Sequence, residues 1–294
     1  DSGATTDVLV DGNSMEGGLL GIHIVEGAVT NVDIRNNFLT GFSDTGIRAK
    51  VQATITDNEV RDSGIGILYD GANVGLTGNQ IHNNTTGLTG TGLLGANGPE
   101  DSVVNNIFNN DTGVIATSGI DVQFNRIFGN ALGIAAANNA HIHHNRIFRN
   151  TGSGIEVAGD TGVLIDNNTF YSTQADSIRV VGGSSNTTLR NNIIWNIEGF
   201  GIYVADDSQP GFDSDYNNIY ASGNGQIVWY QKPFEDLLNW QIEAQQDLNS
   251  IGTTVPDPNL DQPLFVDLAG DDYRIQGGAT TINSGDPTYA FDEE

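Results

Sequence analysis

The stretch VDIRNNFL at residues 32–39 returns along the chain as ATITDNEV (53–60), VGLTGNQI (74–81), IDVQFNRI (120–127), AHIHHNRI (140–147) and VLIDNNTF (163–170). Each copy reads apolar-x-apolar-x-x-Asn-x-apolar. Outward from these copies, asparagines recur at Asn13, Asn37, Asn58, Asn79, Asn106, Asn125, Asn145, Asn168 and Asn192, with a looser tenth at Asn217 or Asn218, and the gaps run from 19 to 27 residues. A period of about 22 residues is the mark of a solenoid, in which each repeat buries its apolar face only against its neighbours.

The residue three before each Asn is apolar: Val10, Ile34, Ile55, Leu76, Val103, Val122, Ile142, Ile165 and Leu189. So is the residue two after it from the second coil on: Leu39, Val60, Ile81, Phe108, Ile127, Ile147, Phe170 and Ile194. Alternation on both sides of an Asn predicts a first and a second strand meeting at a tight bend. Asn suits the bend because it tolerates the left-handed region and its amide bonds the backbone. Stacked about 4.8 Å apart, such amides also bond one another in a ladder. Seven to nine residues further on comes Gly followed by an aliphatic residue, as in GIRA (46–49), GILY (66–69), GIEV (154–157) and GIYV (201–204), with SIRV at 177–180. This is the third strand. The expectation is an all-β, right-handed parallel β-helix of about ten coils, its interior filled and its function on the outer faces.

We expect coils over residues 1–220 and a C-terminal capping tail over 221–294. In the tail, PFEDLLNWQIEAQQ (233–246) carries Phe234, Leu237, Leu238 and Ile242 at helical spacing and reads as a short amphipathic cap. One coil is overlong, and TGTGLLGANGPEDS (89–102) reads as a loop inserted beyond its third strand.

Eleven Lys and Arg stand against 37 Asp and Glu, a formal net charge of −26. That balance repels a phosphate backbone and leaves too few cations for counterion release, so nucleic acid is excluded as a partner. Such acidity reads first as a solvated surface that keeps the chain soluble, with bound Ca²⁺ where carboxylates converge as the alternative. With no cysteine there is no disulfide framework. No run of 18 apolar residues is present, so membrane insertion is not expected. The opening DSGATTDVLVDG (1–12) starts inside a coil, and the chain reads as a segment of a longer parent with further domains.

The coils with their Gly-Ile and Asn-Asn phrases, and the ending DYNNIY (215–220), NWQIEAQQDLNSIG (239–252), PLFVD (263–267) and GDDYRIQGGATTINSGDPTYAFDEE (270–294), resemble right-handed β-helix proteins of the pectate-lyase-like superfamily. The resemblance is closest to modules of large secreted or surface-attached bacterial proteins. It implies an extracellular or cell-surface location and a polysaccharide partner, handled by a lyase, a C5-epimerase or a hydrolase. A non-catalytic structural or adhesin-like module of a larger surface protein is the alternative. The paired-aspartate and Gly-His-Gly phrases of polygalacturonases, the Trp-x-Asp-His of pectate lyases and the Asp-Pro-His of alginate epimerases are missing from this sequence.

The resemblance also places the working cleft along the third-strand sheet. Its outward column should read Arg48, Leu68, Thr89, Ile115, Ala135, Glu156, Arg179 and Tyr203. A uronate lyase or epimerase needs a cation for the carboxylate, a base for the C5 proton and an acid opposite. Glu156, Arg179 and Tyr203, on successive coils, are the catalytic candidates, against the plainer reading of a cross-strand pair beside an aromatic. Arg48 joins the substrate-binding candidates. So does a second-strand column of Phe128, Phe148, Tyr171 and Trp195, on which a sugar ring would stack, unless the tail, a neighbouring domain or a partner covers it. Asp160, Asp206 and Asp207, in turns past the third strand, are the candidate Ca²⁺ ligands. In HIHHNRIFRN (141–150), Ile142 points inward, so His141 and His143 point out together with Asp166 one coil away. Without an evident fourth ligand this reads as a surface His–Asp hydrogen bond in preference to a Zn²⁺ site.

Overall fold

The computed structural model describes residues 6–25, 29–71, 75–96, 104–253 and 263–288. Parallel strands wind into a β-helix of about nine turns, close to the ten expected. Second strands form one eleven-stranded sheet from Ser14–Glu16 to Ile251–Thr253, and third strands another from Leu20–Ile24 to Lys232–Phe234. First strands fall into two sheets, a four-stranded one ending at Leu76–Thr77 and a six-stranded one beginning at Leu94–Gly95. The overlong coil accounts for this division. Leu94–Gly95 already serves as its first strand, pairing with Val122 and Gln123, so the extra chain lies between that strand and the ladder and not beyond the third strand. Val103 lies outside the described residues.

In the central coils each strand contributes one fully buried apolar side chain, for example Ile142, Ile147 and Ile155, or Ile165, Phe170 and Ile178. Each is worth roughly 1.5–3 kcal/mol of transfer free energy. Between the first and second strands the asparagines stack as expected, each Nδ2 donating to the next coil's Oδ1 at 2.8–3.2 Å from Asn13 to Asn217. The rung in the overlong coil is Asn105, not Asn106, which turns Ile107 inward and Phe108 outward. The left-handed residue of the bend is the one before the rung, at Asn36, Asp57, Phe124, His144, Asn167, Asn191 and Tyr216.

A second ladder lies five residues after the first, where the chain turns from second to third strand. Ser63, Asn84, Asn110, Asn130 and Asn150 are all buried, and the asparagine amides bond one another at 3.0–3.1 Å. It explains the glycine of the Gly-Ile phrase. A Cβ on Gly87 would stand 2.5 Å from the carbonyl oxygen of Gly113 and 2.9 Å from the ladder amide of Asn110. Past Asn150 this ladder stops, and there Ser177 takes the glycine's place, bonding Ser172 at 2.8 Å.

The coils run past the expected boundary at 220. Gln226–Tyr230 pairs in register with Phe200–Val204 as one more third strand, and Lys232–Phe234 folds back antiparallel to cover its edge. The helix is Leu237–Ala244, capped by Asp236, whose carboxylate accepts from the Asn239 N–H at 2.8 Å. Its buried face is Leu237 and Trp240, with Phe234 beside them, whereas Leu238 and Ile242 are exposed. Trp240 closes the first ladder: its Nε1 donates to fully buried Asp247, which also accepts from the last rung, Asn217, at 2.9 Å.

Candidate functional site

The outward column of the third-strand sheet has the register read from the sequence, extended at both ends: His23, Arg48, Leu68, Thr89, Ile115, Ala135, Glu156, Arg179, Tyr203 and Trp229. Chemistry gathers at its C-terminal end. The Arg179 guanidinium lies over the Tyr203 ring, 4.4 Å from its centroid. The Trp229 ring continues the stack at 5.9 Å and 11°, and Phe200 leans against both rings at 5.7–5.9 Å. Arg179 is held by Asp176, at 3.0 Å from Nη1, and more loosely by Glu156, at 3.7 Å from Nε. Asp176 is itself fixed, accepting the Phe200 N–H at 2.8 Å.

Glu156, Arg179 and Tyr203 are therefore brought together. The guanidinium expected to hold a uronate carboxylate already faces two protein carboxylates, so the local formal charge is negative. The surface offers a half-exposed aromatic platform with acceptor oxygens and one cation along its edge. Trp229, Phe200 and Asp176 were missed from sequence. GQIVWY (225–230) carries the third-strand phrase in altered form, and Asp176 directly precedes the Ser177 that replaces the usual glycine. Arg48 is not part of this group. Five coils separate it from Glu156, about 24 Å at the strand spacing, and its Nε is buried without a hydrogen-bond partner among the described residues.

The second-strand aromatics form a continuous column, His82, Phe108, Phe128, Phe148, Tyr171, Trp195 and Tyr220, by strand register. An exposed row is not what the structure contains. The hairpin of Phe265–Asp267 and Asp272–Ile275 lies on it, with Tyr273 against Phe148 and Tyr171 and Phe265 against Trp195, at 4.8–5.9 Å. Phe148, Tyr171 and Trp195 are buried, and Phe128 at the margin is half-buried. Arg149 ties the hairpin down through Asp271 at 2.9 Å. Burial and the hydrogen bond to Asp271 push the Tyr273 hydroxyl pKa well up.

The three candidate calcium aspartates do not converge into one ligand group among the described residues. Asp160 accepts the Asn138 N–H on the preceding coil at 3.1 Å, and Asp206 and Asp207 lie exposed on a short 3₁₀ helix. Their turns are held by buried Ser184 and Ser208, which accept the N–H groups of Gly159 and Gly183. The fold instead gathers Asp121, His141 and His143. Asp121 was missed because it lies two residues out of the column that holds His143. The His143 ring is lowered to about 4 by burial and by the neighbouring His141 and His144. For His141, burial acts downward, but the hydrogen bond and charge of Asp166, with Asp121, outweigh it and raise the pKa.

Two family models match the chain, a right handed beta helix region over residues 104–236 and the periplasmic copper-binding protein NosD over residues 3–126. The chain is a right-handed parallel β-helix protein. Among solved structures the chain matches the Streptococcus pneumoniae surface protein and adhesin PfbA, at 13% identity over 74% of this chain and 80% of that one, with a TM-score of 0.34. No curated protein matches it. In this β-helix protein the beta helix region match spans Glu156 through Trp229, whereas the NosD match ends before His141. No helix among the described residues is long and apolar enough to cross a membrane.

Proposed function

We propose that this β-helix protein is a glycan-binding module working outside the cytoplasm, with the C-terminal end of its third-strand sheet as the binding surface. The observation that carries this reading is the unbroken stack of Arg179, Tyr203 and Trp229 on successive coils. A sugar presents an apolar C–H face and a rim of hydroxyls. Rings of Tyr and Trp receive the former, and Glu156 and Asp176 accept hydrogen bonds from the latter. Spacing by coils suits a polymer, since consecutive residues of a chain meet consecutive rungs. The location is supported by the match of residues 3–126 to a family of periplasmic proteins.

A lyase or epimerase acting on a uronate would use the same surface, with Glu156, Arg179 and Tyr203 as reacting groups. It would require Arg179 to exchange Asp176 for the substrate carboxylate. The binding reading needs no such exchange and is the one we favour.

The test is binding of the intact chain to immobilised neutral and uronate-containing polysaccharides. Trp229→Ala should weaken every interaction the parent makes by at least about tenfold, the loss of one well-stacked ring. A folded Trp229→Ala protein that binds as the parent does would move the site elsewhere.

A further inference from the structure

One face away from the glycan surface, three coils of the first-strand sheet bring their outward side chains together. Asp121 is the register partner of His141, and His143 that of Asp166. Asp166, only 3% exposed, reaches diagonally to His141, 2.6 Å from its Nε2. An ionised carboxylate has no proton to give, so Nε2 carries the hydrogen and donates it. In the neutral ring the lone pair is then on Nδ1, and Nδ1 stands 3.3 Å from the Asp121 Oδ1. His143 stacks on His141 with ring centroids 4.1 Å apart. One ligand atom from each of Asp121, His141 and His143 lies within 4.8 Å of the other two.

We propose that Asp121, His141 and His143 bind a late first-row divalent metal ion, with Asp166 as the positioning residue that fixes the His141 tautomer. A buried carboxylate taking the far N–H of a ligating imidazole is the usual support of a metal-bound histidine. Two ligands each about 2.0–2.1 Å from one ion at a tetrahedral angle stand about 3.3 Å apart, the separation found between His141 and Asp121. Two imidazoles and one carboxylate suit Zn²⁺, Ni²⁺ or Cu²⁺ and do not suit Ca²⁺, which wants six to eight oxygens. The orientation of His143 is set by its neighbours. Its Nδ1 is 2.8 Å from the Nδ1 of His144, and the Phe124 ring meets it edge-on at 6.4 Å. The sequence offered two histidines and one aspartate, and the missing ligand is Asp121, supplied by the preceding coil.

The test uses the whole chain without an affinity tag, stripped with chelator and titrated with Cu²⁺, Ni²⁺, Zn²⁺ and Ca²⁺ in separate calorimetric runs. One equivalent of Cu²⁺ and of Zn²⁺ should bind at micromolar concentration or below, Cu²⁺ the more tightly. His143→Ala should abolish this binding. Asp166→Asn, which removes no ligand, should weaken it by about 10–100-fold, and the remote control Asp207→Asn should leave it unchanged. The electron paramagnetic resonance spectrum of the Cu²⁺-loaded parent should show coupling to two imidazole nitrogens. Because that measurement uses the unaltered protein, it decides even if a variant fails to fold. Absence of transition-metal binding, binding that survives His143→Ala, or a Cu²⁺ spectrum without nitrogen coupling would each overturn the proposal.

Discussion

Two outward columns climb the same solenoid with the same rise, and their fates differ. On the second-strand sheet, Phe108, Phe128, Phe148, Tyr171, Trp195 and Tyr220 follow one another without a charge between them, and the C-terminal hairpin covers the last four. On the third-strand sheet, Glu156 and Arg179 precede Tyr203 and Trp229, and that surface stays half-exposed. Backbone geometry is common to both, so the difference lies in side-chain chemistry. Covering the first column removes apolar area from water with few polar groups to satisfy, whereas covering the second would desolvate an ion pair whose attraction in water is weak. A solenoid buries one aromatic column for stability and keeps another free by interleaving charge.

The largest effect should come from uncovering the buried column. Tyr273→Ala removes the ring that packs on Phe148 and Tyr171 and also the Asp271 partner at 2.9 Å. Loss of a buried aromatic costs about 3–5 kcal/mol. Chemical denaturation should show that loss, and binding of a hydrophobic dye to the native state should rise as the column opens. An unchanged midpoint would mean that the hairpin rests on the column without contributing to stability.

The ladders come next. Replacing Asn130 by Leu leaves the Asn110 amide without its acceptor and the Ile107 carbonyl without its donor, both in the interior. Each such orphaned group costs about 1–3 kcal/mol. Asn125→Leu breaks the same kind of contact in the first ladder. The two variants should fall by similar amounts in thermal melts. If only Asn125→Leu were destabilising, the second ladder would be a passive consequence of stacking.

These two ladders also show what could be read from the chain alone. The first announces itself because its asparagines sit between two alternating strands, and Asn58, Asn125 or Asn145 cannot be mistaken for anything else. The second was equally periodic, but Asn84, Asn110, Asn130 and Asn150 follow residues that resemble ordinary turn sequence. Their burial depends on the neighbouring coil, which no single repeat displays. Asn105 was misjudged for Asn106 because both are asparagine and the preceding residues do not alternate cleanly. On the third-strand sheet, Glu156, Arg179 and Tyr203 were legible from the Gly-Ile phrase. Trp229 was not, since the phrase had degenerated. That the aromatic row is covered was one of the two readings the sequence left open, but the choice of the tail hairpin as its cover depended on contacts between residues roughly a hundred positions apart, such as Arg149 with Asp271. Asp121 escaped because the column read from the sequence was that of His143, which runs through Gln123, and not that of His141, whose register partner is Asp121.

The smallest stability effect, and the most informative for function, belongs to Arg179. Its side chain and that of Glu156 are each about one-third exposed, at 36% and 34%, with 3.7 Å between Nε and the carboxylate. Pairs of this kind contribute at most about 1 kcal/mol in solvent, so Arg179→Ala should melt within a degree or two of the parent. Its effect on binding separates two ways in which the open column could work. If stacking on Tyr203 and Trp229 carries recognition, removal of the guanidinium weakens neutral and uronate-containing glycans alike and by only a few-fold, because the rings remain. If the guanidinium leaves Asp176 to hold a sugar carboxylate, the loss is confined to acidic glycans and is large, since a planar bidentate fork has no substitute in Ala and a poor one in Lys. With Glu156 and Asp176 both facing Arg179, an incoming carboxylate meets two like charges before it meets the cation. The first outcome is therefore expected. A selective loss of acidic-glycan binding in Arg179→Ala, reproduced in Arg179→Lys, would instead make this column a uronate site.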